Sequence, residues 1–285
     1  MKINSLWRYP VKSMAGENLH RAVMTQNGII GDRSYAVHDG SSIRGAKKFS
    51  RLMSFSASFD EEPDGIVIPS VTLDIGNTAL SSDDAEVHHL LSKELGTTVT
   101  LEKLRGAEEL DYYRQPSEKP NIADIRSILG LLESEPFPDF SEFPAELSEF
   151  STPPGTYFDA YPLLILTTSA LGQLQQAAPE SVIDERRFRP NIVINTDEID
   201  LGYVEESWKN KYLTIGEVIL GLTLPCPRCV MTTIGFQDLP KDPGIMRTLV
   251  RENHHKLGIY AQVIRAGQIQ VDDKVTLVEE IEPNL

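Results

Sequence analysis

Met53-Ser54-Phe55-Ser56-Ala57-Ser58-Phe59 alternates apolar and hydroxyl side chains one for one. Successive side chains of a strand point to opposite faces, so this period-2 pattern predicts a strand with one face buried and one wet. Outward in both directions the same reading holds: Ile29 to Val37 and Ile66 to Ile75 are apolar, β-branched runs separated by Gly, Asn and Asp turn signals. One helix interrupts them. Ser82 reads as its N-cap, Asp83 and Asp84 fill the first turn, Val87, Leu90, Leu91 and Leu95 share a face, and Gly96 comes after them. A strand over Thr98 to Leu104 comes next.

In the second half, Leu163 to Leu166, Ile192 to Ile194 and Leu213 to Leu222 read as strands. Thr167-Thr168-Ser169 is an N-cap cluster for a helix reaching about Ala178. Val230 to Ile234 reads as strand, Thr248 to His255 as a short helix, and Gly267 to Val275 as a closing hairpin. Strands outnumber helices and do not alternate regularly with them. The prediction is a β-rich α+β architecture, not a doubly wound parallel sheet.

The 285 residues carry 27 Lys and Arg against 42 Asp and Glu, a net charge of −15. Clustered cations are what displaces counterions from nucleic acid and draws proteins to anionic membranes, so both partner classes are excluded as expectations. No run approaches the ~18 apolar residues of a spanning helix, and Met1 to Arg8 lacks the apolar core of a signal peptide; the expected location is the cytoplasm. Charge is unevenly spread. No Lys or Arg stands between Arg126 and Arg186, and those 59 residues hold ten acids, −10 of the total. The middle of this window, Glu135-Pro136-Phe137-Pro138-Asp139-Phe140-Ser141-Glu142-Phe143-Pro144, is a surface loop anchored by aromatics or a docking surface for a partner.

Four local clusters could carry chemistry. Pro225-Cys226-Pro227-Arg228-Cys229 holds the only two cysteines. It is half of a zinc site, a thioredoxin-like pair, two buried thiols, or a reactive or metal-bound thiolate; the prolines and arginine make a rigid, electropositive turn that favours the last. Two cysteines cannot supply the four ligands of an iron–sulfur cluster. Tyr9-Pro10-Val11-Lys12-Ser13-Met14-Ala15-Gly16 places Lys12 and Ser13 at a turn where they hold an anion or simply face water. In Gly31-Asp32-Arg33 the glycine permits positive φ, and the ions pair locally or serve a site. Arg186-Arg187-Phe188-Arg189-Pro190-Asn191 ends the acidic window with three arginines, suited to phosphate or to surface ion pairs. Spacing alone does not bring these clusters together.

In this order the four clusters resemble the two-domain MOSC proteins, the group that includes the mitochondrial amidoxime-reducing component. The resemblance implies an N-terminal β-barrel domain over 1–120 and a MOSC domain over 121–285, with the acidic Pro- and Phe-rich segment at 133–155. It implies a molybdenum cofactor, a pyranopterin (molybdopterin) whose dithiolene binds the metal, with Cys229 as the protein ligand. Lys12, Ser13, Arg33, Arg189 and Asn191 match the cofactor-binding positions, Arg228 lies between the cysteines, and Ser169 is a looser match. The implied activity is reduction of small N-hydroxylated substrates such as amidoximes. The chain shows no ferredoxin-type module, so electrons are expected from a separate donor, a ferredoxin-type protein or flavin reductase. MOSC domains also imply an alternative: a carrier that holds sulfur as a persulfide on Cys229 or passes the cofactor on. The group commonly has Asp two residues beyond the Thr-Thr pair. Here Gly235 stands there, leaving Asp238 or Asp242 as substitutes.

Overall fold

The computed structural model describes residues 1–116, 119–196 and 201–281. Its spine is an eight-stranded sheet. From one edge to the other the strands run Thr276–Val278, Tyr212–Ile215, Val218–Pro227, Lys256–Arg265, Leu163–Thr167, Ile192–Asn195, Lys2–Arg8 and Glu17–Leu19. All neighbours are antiparallel except Leu163–Thr167 and Ile192–Asn195, which are parallel and joined through the helix Thr168–Ala177. Leu163–Thr167 is buried at every position, as a central strand covered on both faces must be. One face packs Ile3, Leu6, Ile165, Ile192, Leu220 and Ile259. The other packs Leu166 and Val193 against the helices Thr168–Ala177 and Pro243–Asn253.

Three small sheets complete the molecule: Thr100–Lys103 with Tyr35–His38 and Ile43–Arg44; Ser56–Phe59 with Val71–Ile75 and Thr78–Ser81; and Gly267–Gln270 with Arg21–Thr25 and Gly28–Ile29. The first two enclose a separate core of Val37, Phe55, Leu73, Val87 and Leu91 under the helix Glu86–Leu95. The β-rich α+β reading therefore holds. Among the described residues no helix is long and apolar enough to cross a membrane.

Several local expectations change. Ser50–Ser54 is a 3-10 turn and the strand starts at Ser56, yet Met53, Phe55 and Ala57 are buried as the alternation requires. Ile29 to Val37 is broken by a turn at Gly31, whose φ is +83°. A side chain on Gly31 would also come within 2.6 Å of the Phe59 ring. The Glu86–Leu95 helix begins later than Ser82 because Asp84 Oδ1 accepts from the Glu86 amide, while Ser82 Oγ instead accepts from the Val71 amide of a neighbouring strand. Leu213 to Leu222 is two strands joined at Gly216, in the left-handed region at φ +57°. Gly267–Gln270 forms no hairpin with Val271 to Val275; it pairs with Arg21–Thr25, near the other end of the chain.

Candidate functional site

The strand Val218–Pro227 loses register with Lys256–Arg265 at Leu222/Pro225 and again at Pro225/Pro227. Proline has no amide hydrogen for the ladder, so both prolines loosen the strand just before it ends. The chain then turns through Cys229 into a 3-10 turn, Val230–Thr233, where strand was expected. This leaves the two thiols in different surroundings. Cys226 is 3% exposed, and its thiol is pushed up by burial, against the opposing pull of Arg228, whose Nη1 lies 3.0 Å from Sγ. Cys229 is half-buried and open to a cavity.

That cavity encloses about 510 Å³ and draws on all four sequence clusters, a size within the ~300–1,000 Å³ usual for small-molecule sites. Lys12, Ser13, Arg33, Arg189, Asn191, Arg228 and Cys229 all line it. The reason they converge is a set of backbone and side-chain ties between the two ends of the chain. Tyr9 to Lys12 runs beside Arg33 to Tyr35: Arg33 N donates to Tyr9 O, Tyr35 N to Pro10 O, and Lys12 N to Tyr35 O. Asp32, with its side chain fully buried, accepts from the Tyr9 amide at 2.7 Å, from Asn191 Nδ2 at 2.9 Å and from Arg33 Nη1. Asn191 Oδ1 in turn accepts from the Leu164 amide. Gly16 completes the N-terminal turn, since a Cβ there would lie 2.4 Å from the Arg8 carbonyl oxygen.

Ser13, Arg33 and Arg189 all adopt left-handed backbone, at φ +68°, +52° and +56°. Each such residue costs about 1–3 kcal/mol unless its surroundings hold it there, and such strain gathers at functional sites. Arg189 is 8% exposed, stacks over the Tyr9 ring at 4.1 Å, and donates through Nη1 to the Met14 carbonyl. Burial, reinforced by nearby Arg33, lowers its pKa to about 10. Arg228 Nη2 donates to the Phe188 carbonyl at 2.6 Å. Two guanidinium atoms in the cavity wall, Arg189 Nη2 and Arg228 Nε, are buried with no hydrogen-bond partner. Lys12 Nζ donates to Tyr157 O at 2.8 Å and to Asp159 at 2.5 Å, while Lys47 reaches the other Asp159 oxygen at 3.0 Å. Burial alone would raise the Asp159 carboxyl; the two lysines outweigh it and hold it well below the usual carboxylate range.

Among the described lining residues, Lys12, Arg33, Lys47, Arg187, Arg189 and Arg228 face one carboxylate, Asp159. A chain of net charge −15 has concentrated cations around one space. Arg187 is fully buried and structural: it donates to Val182 O and Pro240 O.

Ser169 does not join the others. It is not among the described residues lining the cavity; its hydroxyl donates to Gly202 O and its amide to Thr196 Oγ1, because the Thr168–Ala177 helix starts beyond the C-terminal end of Leu163–Thr167, whereas the cavity lies at Leu164, near the start of that strand. Asp238 pairs with Arg186 at 2.9 Å, and Asp242 caps the Pro243–Asn253 helix. Neither lines the cavity, so Asp159 is the acid present there. Sequence reasoning also missed Lys47 and Tyr260. Lys47 sits in an ordinary Lys-Lys pair, and Tyr260, which lies beside Cys226, belongs to an otherwise featureless strand.

The MOSC N-terminal beta barrel domain matches residues 1–100 and the MOSC domain matches residues 153–276. Mitochondrial amidoxime-reducing component 1 of Homo sapiens is 28% identical over 259 residues, covering 86% of this chain and 68% of that protein. Mitochondrial amidoxime reducing component 2 of Bos taurus is 24% identical over 302 residues, covering 96% and 82%. The crystal structure of the YuaD protein from Bacillus subtilis covers 97% of this chain and 94% of that one, at 11% identity and a TM-score of 0.45. The chain is a two-domain MOSC protein, similar to the mitochondrial amidoxime-reducing components.

Proposed function

We propose that the cavity binds a molybdenum–pterin cofactor with Cys229 as the protein ligand, and that the protein reduces N-hydroxylated compounds with electrons from a separate donor. One observation carries this reading: an accessible thiol shares a cavity with a surplus of buried cations, two of whose donor atoms are unpartnered. An unsatisfied buried donor costs about 1–3 kcal/mol, more when charged, and oxygens of an anionic ligand would remove that cost at Arg189 Nη2 and Arg228 Nε. The donor set fits in kind as well. Among the described residues no group of three or more His, Cys, Asp or Glu could hold a metal ion. A metal bound through Cys229 therefore needs its other donors from a cofactor, and a thiolate is the soft ligand that suits a metal already bound by sulfur.

In this reading Lys12, Ser13, Arg33, Arg189 and Asn191 hold the cofactor's phosphate side, by charge or by fixing a neighbour. Asn191 acts through Asp32, which it shares with Arg33. Arg228 stands between the cysteines, with Nη1 on the buried thiol and Nη2 on the Phe188 carbonyl. A bound molybdenum supplies the two-electron reduction. Conversion of N–OH to N–H and water also consumes two protons. Asp159 is ionised and accepts hydrogen bonds, so the proton-bearing atoms beside it are the Nζ of Lys12 and of Lys47.

The test is the metal and pterin content of protein made in a host that synthesises the cofactor. About one molybdenum and one pterin per chain are expected, both lost in Cys229→Ser along with amidoxime turnover. A Cys229→Ser protein that keeps metal and turnover overturns the assignment. Cyanide-labile sulfur on Cys229 with no turnover would instead make the protein a sulfur carrier.

A further inference from the structure

Residues 101–152 lie outside both matched domains, yet they supply Leu129, Phe140, Phe143, Pro144, Ala145 and Leu147 to the cavity wall. These residues are apolar, unlike the cations that share the cavity. The frame of this wall is the Ile122–Leu129 helix, with a capping box of Asn121 and Asp124 at its start and Gly130 in the left-handed region at its end. Gly130 packs on the cysteine turn: a Cβ there would lie 3.3 Å from Val230 Cα. Arg247 donates to the Gly130 carbonyl and pairs with Glu135, while Arg126 Nη1 donates to Leu132 O at 2.7 Å and Glu135 O at 2.8 Å. The loop beyond is thereby held over the cavity.

Phe143 is the ring that joins this loop to the rest of the site. It meets Tyr260 edge-on, with centroids 6.2 Å apart and planes at 88°, and Tyr161 at 6.5 Å and 62°. Tyr161 and Tyr260 lie 5.1 Å apart, and Phe140 packs on Phe143 at 5.4 Å. All four rings line the cavity, and Tyr260 lies beside Cys226. Edge-to-face geometry of this kind is the way aromatic groups prefer to receive another ring. The cavity thus has two kinds of lining: cations with the cysteine motif, and four aromatic rings, of which Tyr260 adjoins that motif.

We propose that the 122–150 segment is a specificity wall in which Phe143, backed by Tyr161 and Tyr260, selects substrates that carry a flat apolar ring next to the N–OH group over those that carry a small alkyl group. The inference rests on the reductase reading and assigns its substrate preference. The experiment compares wild type, Phe143→Ala and Phe140→Ala with benzamidoxime and acetamidoxime as substrates. In parallel, calorimetry measures binding of the redox-inert amides benzamide and acetamide, and metal and pterin are counted per chain. In wild type the aryl compound is expected to be favoured in both assays. Phe143→Ala is expected to cut the aryl-to-alkyl ratio of kcat/KM, and of affinity, about tenfold with metal and pterin content unchanged. Phe140→Ala, which alters a more exposed ring, shifts both ratios the same way by less.

Aryl-to-alkyl ratios that stay put in both variants overturn the proposal. So does loss of pterin in Phe143→Ala, which would make the ring a support for the cofactor. If wild type carries no molybdenum, the reductase reading fails on its own. The amide arm still decides the wall: a benzamide preference lost in Phe143→Ala supports it, and no preference overturns it.

Discussion

The cation-lined side of the cavity and the 122–150 wall face the same space but are held in opposite ways. On the first side the buried charged groups have their positions fixed by several contacts each. Asp32 alone anchors a backbone amide, an asparagine and an arginine contributed by sequence positions far apart, and Arg189 is fixed by a carbonyl and an aromatic face. On the second side, anchorage comes from ring edges and from ion pairs nearer water, such as Lys209 with Glu142 at 2.7 Å. Rigid placement suits groups that must present charge to a ligand without reorganising. A wall held by weaker contacts has room to accept ligands of different outline. The ten acids of the window that includes this wall are not a uniform acidic face: Glu135, Glu142, Glu149, Asp159 and Asp184 all have cationic partners.

The largest expected effect comes from breaking the rigid side at its centre. In Asp32→Ala, Arg33, Asn191 and the Tyr9 amide lose one shared acceptor. Removing one member of a buried, hydrogen-bonded ion pair typically costs about 3–5 kcal/mol. Asp32→Asn should fare little better, because its amide nitrogen would meet the donors of Arg33 and Asn191. Urea unfolding should show a loss of about 3 kcal/mol or more for Asp32→Ala, and Arg33→Met in the same background should recover part of it. A loss below about 1 kcal/mol, the scale of an exposed pair, would mean that the side is not organised around Asp32.

The same divide governs how much was legible in the sequence. Alternation and turn residues announced the strands, and Thr167 at the head of its helix was visible because capping is local chemistry. The seven lining residues named from motifs share a cavity because each motif ends a strand or makes a turn. What no local pattern could show is how they meet. Left-handed backbone at Ser13, Arg33 and Arg189 has no marker, since glycine or asparagine is the usual signal for it. Lys47 and Asp159 are ordinary in sequence and become a pair only when the fold brings both beside Lys12. Ser169 misled for the reverse reason: a good N-cap cluster says where a helix starts, not at which end of the sheet the site is built.

Glu205 sharpens the contrast between burial with and without a counter-charge. It is fully buried, accepting hydrogen bonds from Thr167 Oγ1 at 2.8 Å and the Gly258 amide at 3.0 Å, with no cation beside it in those contacts. Burial pushes its pKa from the ordinary 4.5 up to about 7. Because the folded pKa is raised, the native state binds the proton more tightly than the unfolded chain. The stabilisation is present in full below about pH 4.5 and fades as pH rises through 7. Across that window this group should remove on the order of 2–3 kcal/mol. Unfolding of wild type and Glu205→Gln at pH 5 and pH 8 checks it. The variant should lose less stability between the two pH values than wild type does, and equal losses would show that Glu205 is not the group responsible.

The smallest effect is expected where the wall is latched. Glu135→Gln removes the ion pair with Arg247 but leaves the Arg247 bond to the Gly130 carbonyl and both Arg126 bonds to backbone. A partly exposed ion pair is worth about 0–1 kcal/mol, so global stability should hardly move. Local opening is another matter, since a segment with few anchors opens at a small fraction of the global free energy. Limited proteolysis should therefore cut the variant between residues 131 and 150 a few-fold faster, while cleavage elsewhere and the urea midpoint stay within error of wild type. Faster cutting throughout the chain would mean that the latch supports the whole fold. Unchanged cutting would mean that the ring edges around Phe143, rather than Glu135 and Arg247, hold the wall over the cavity.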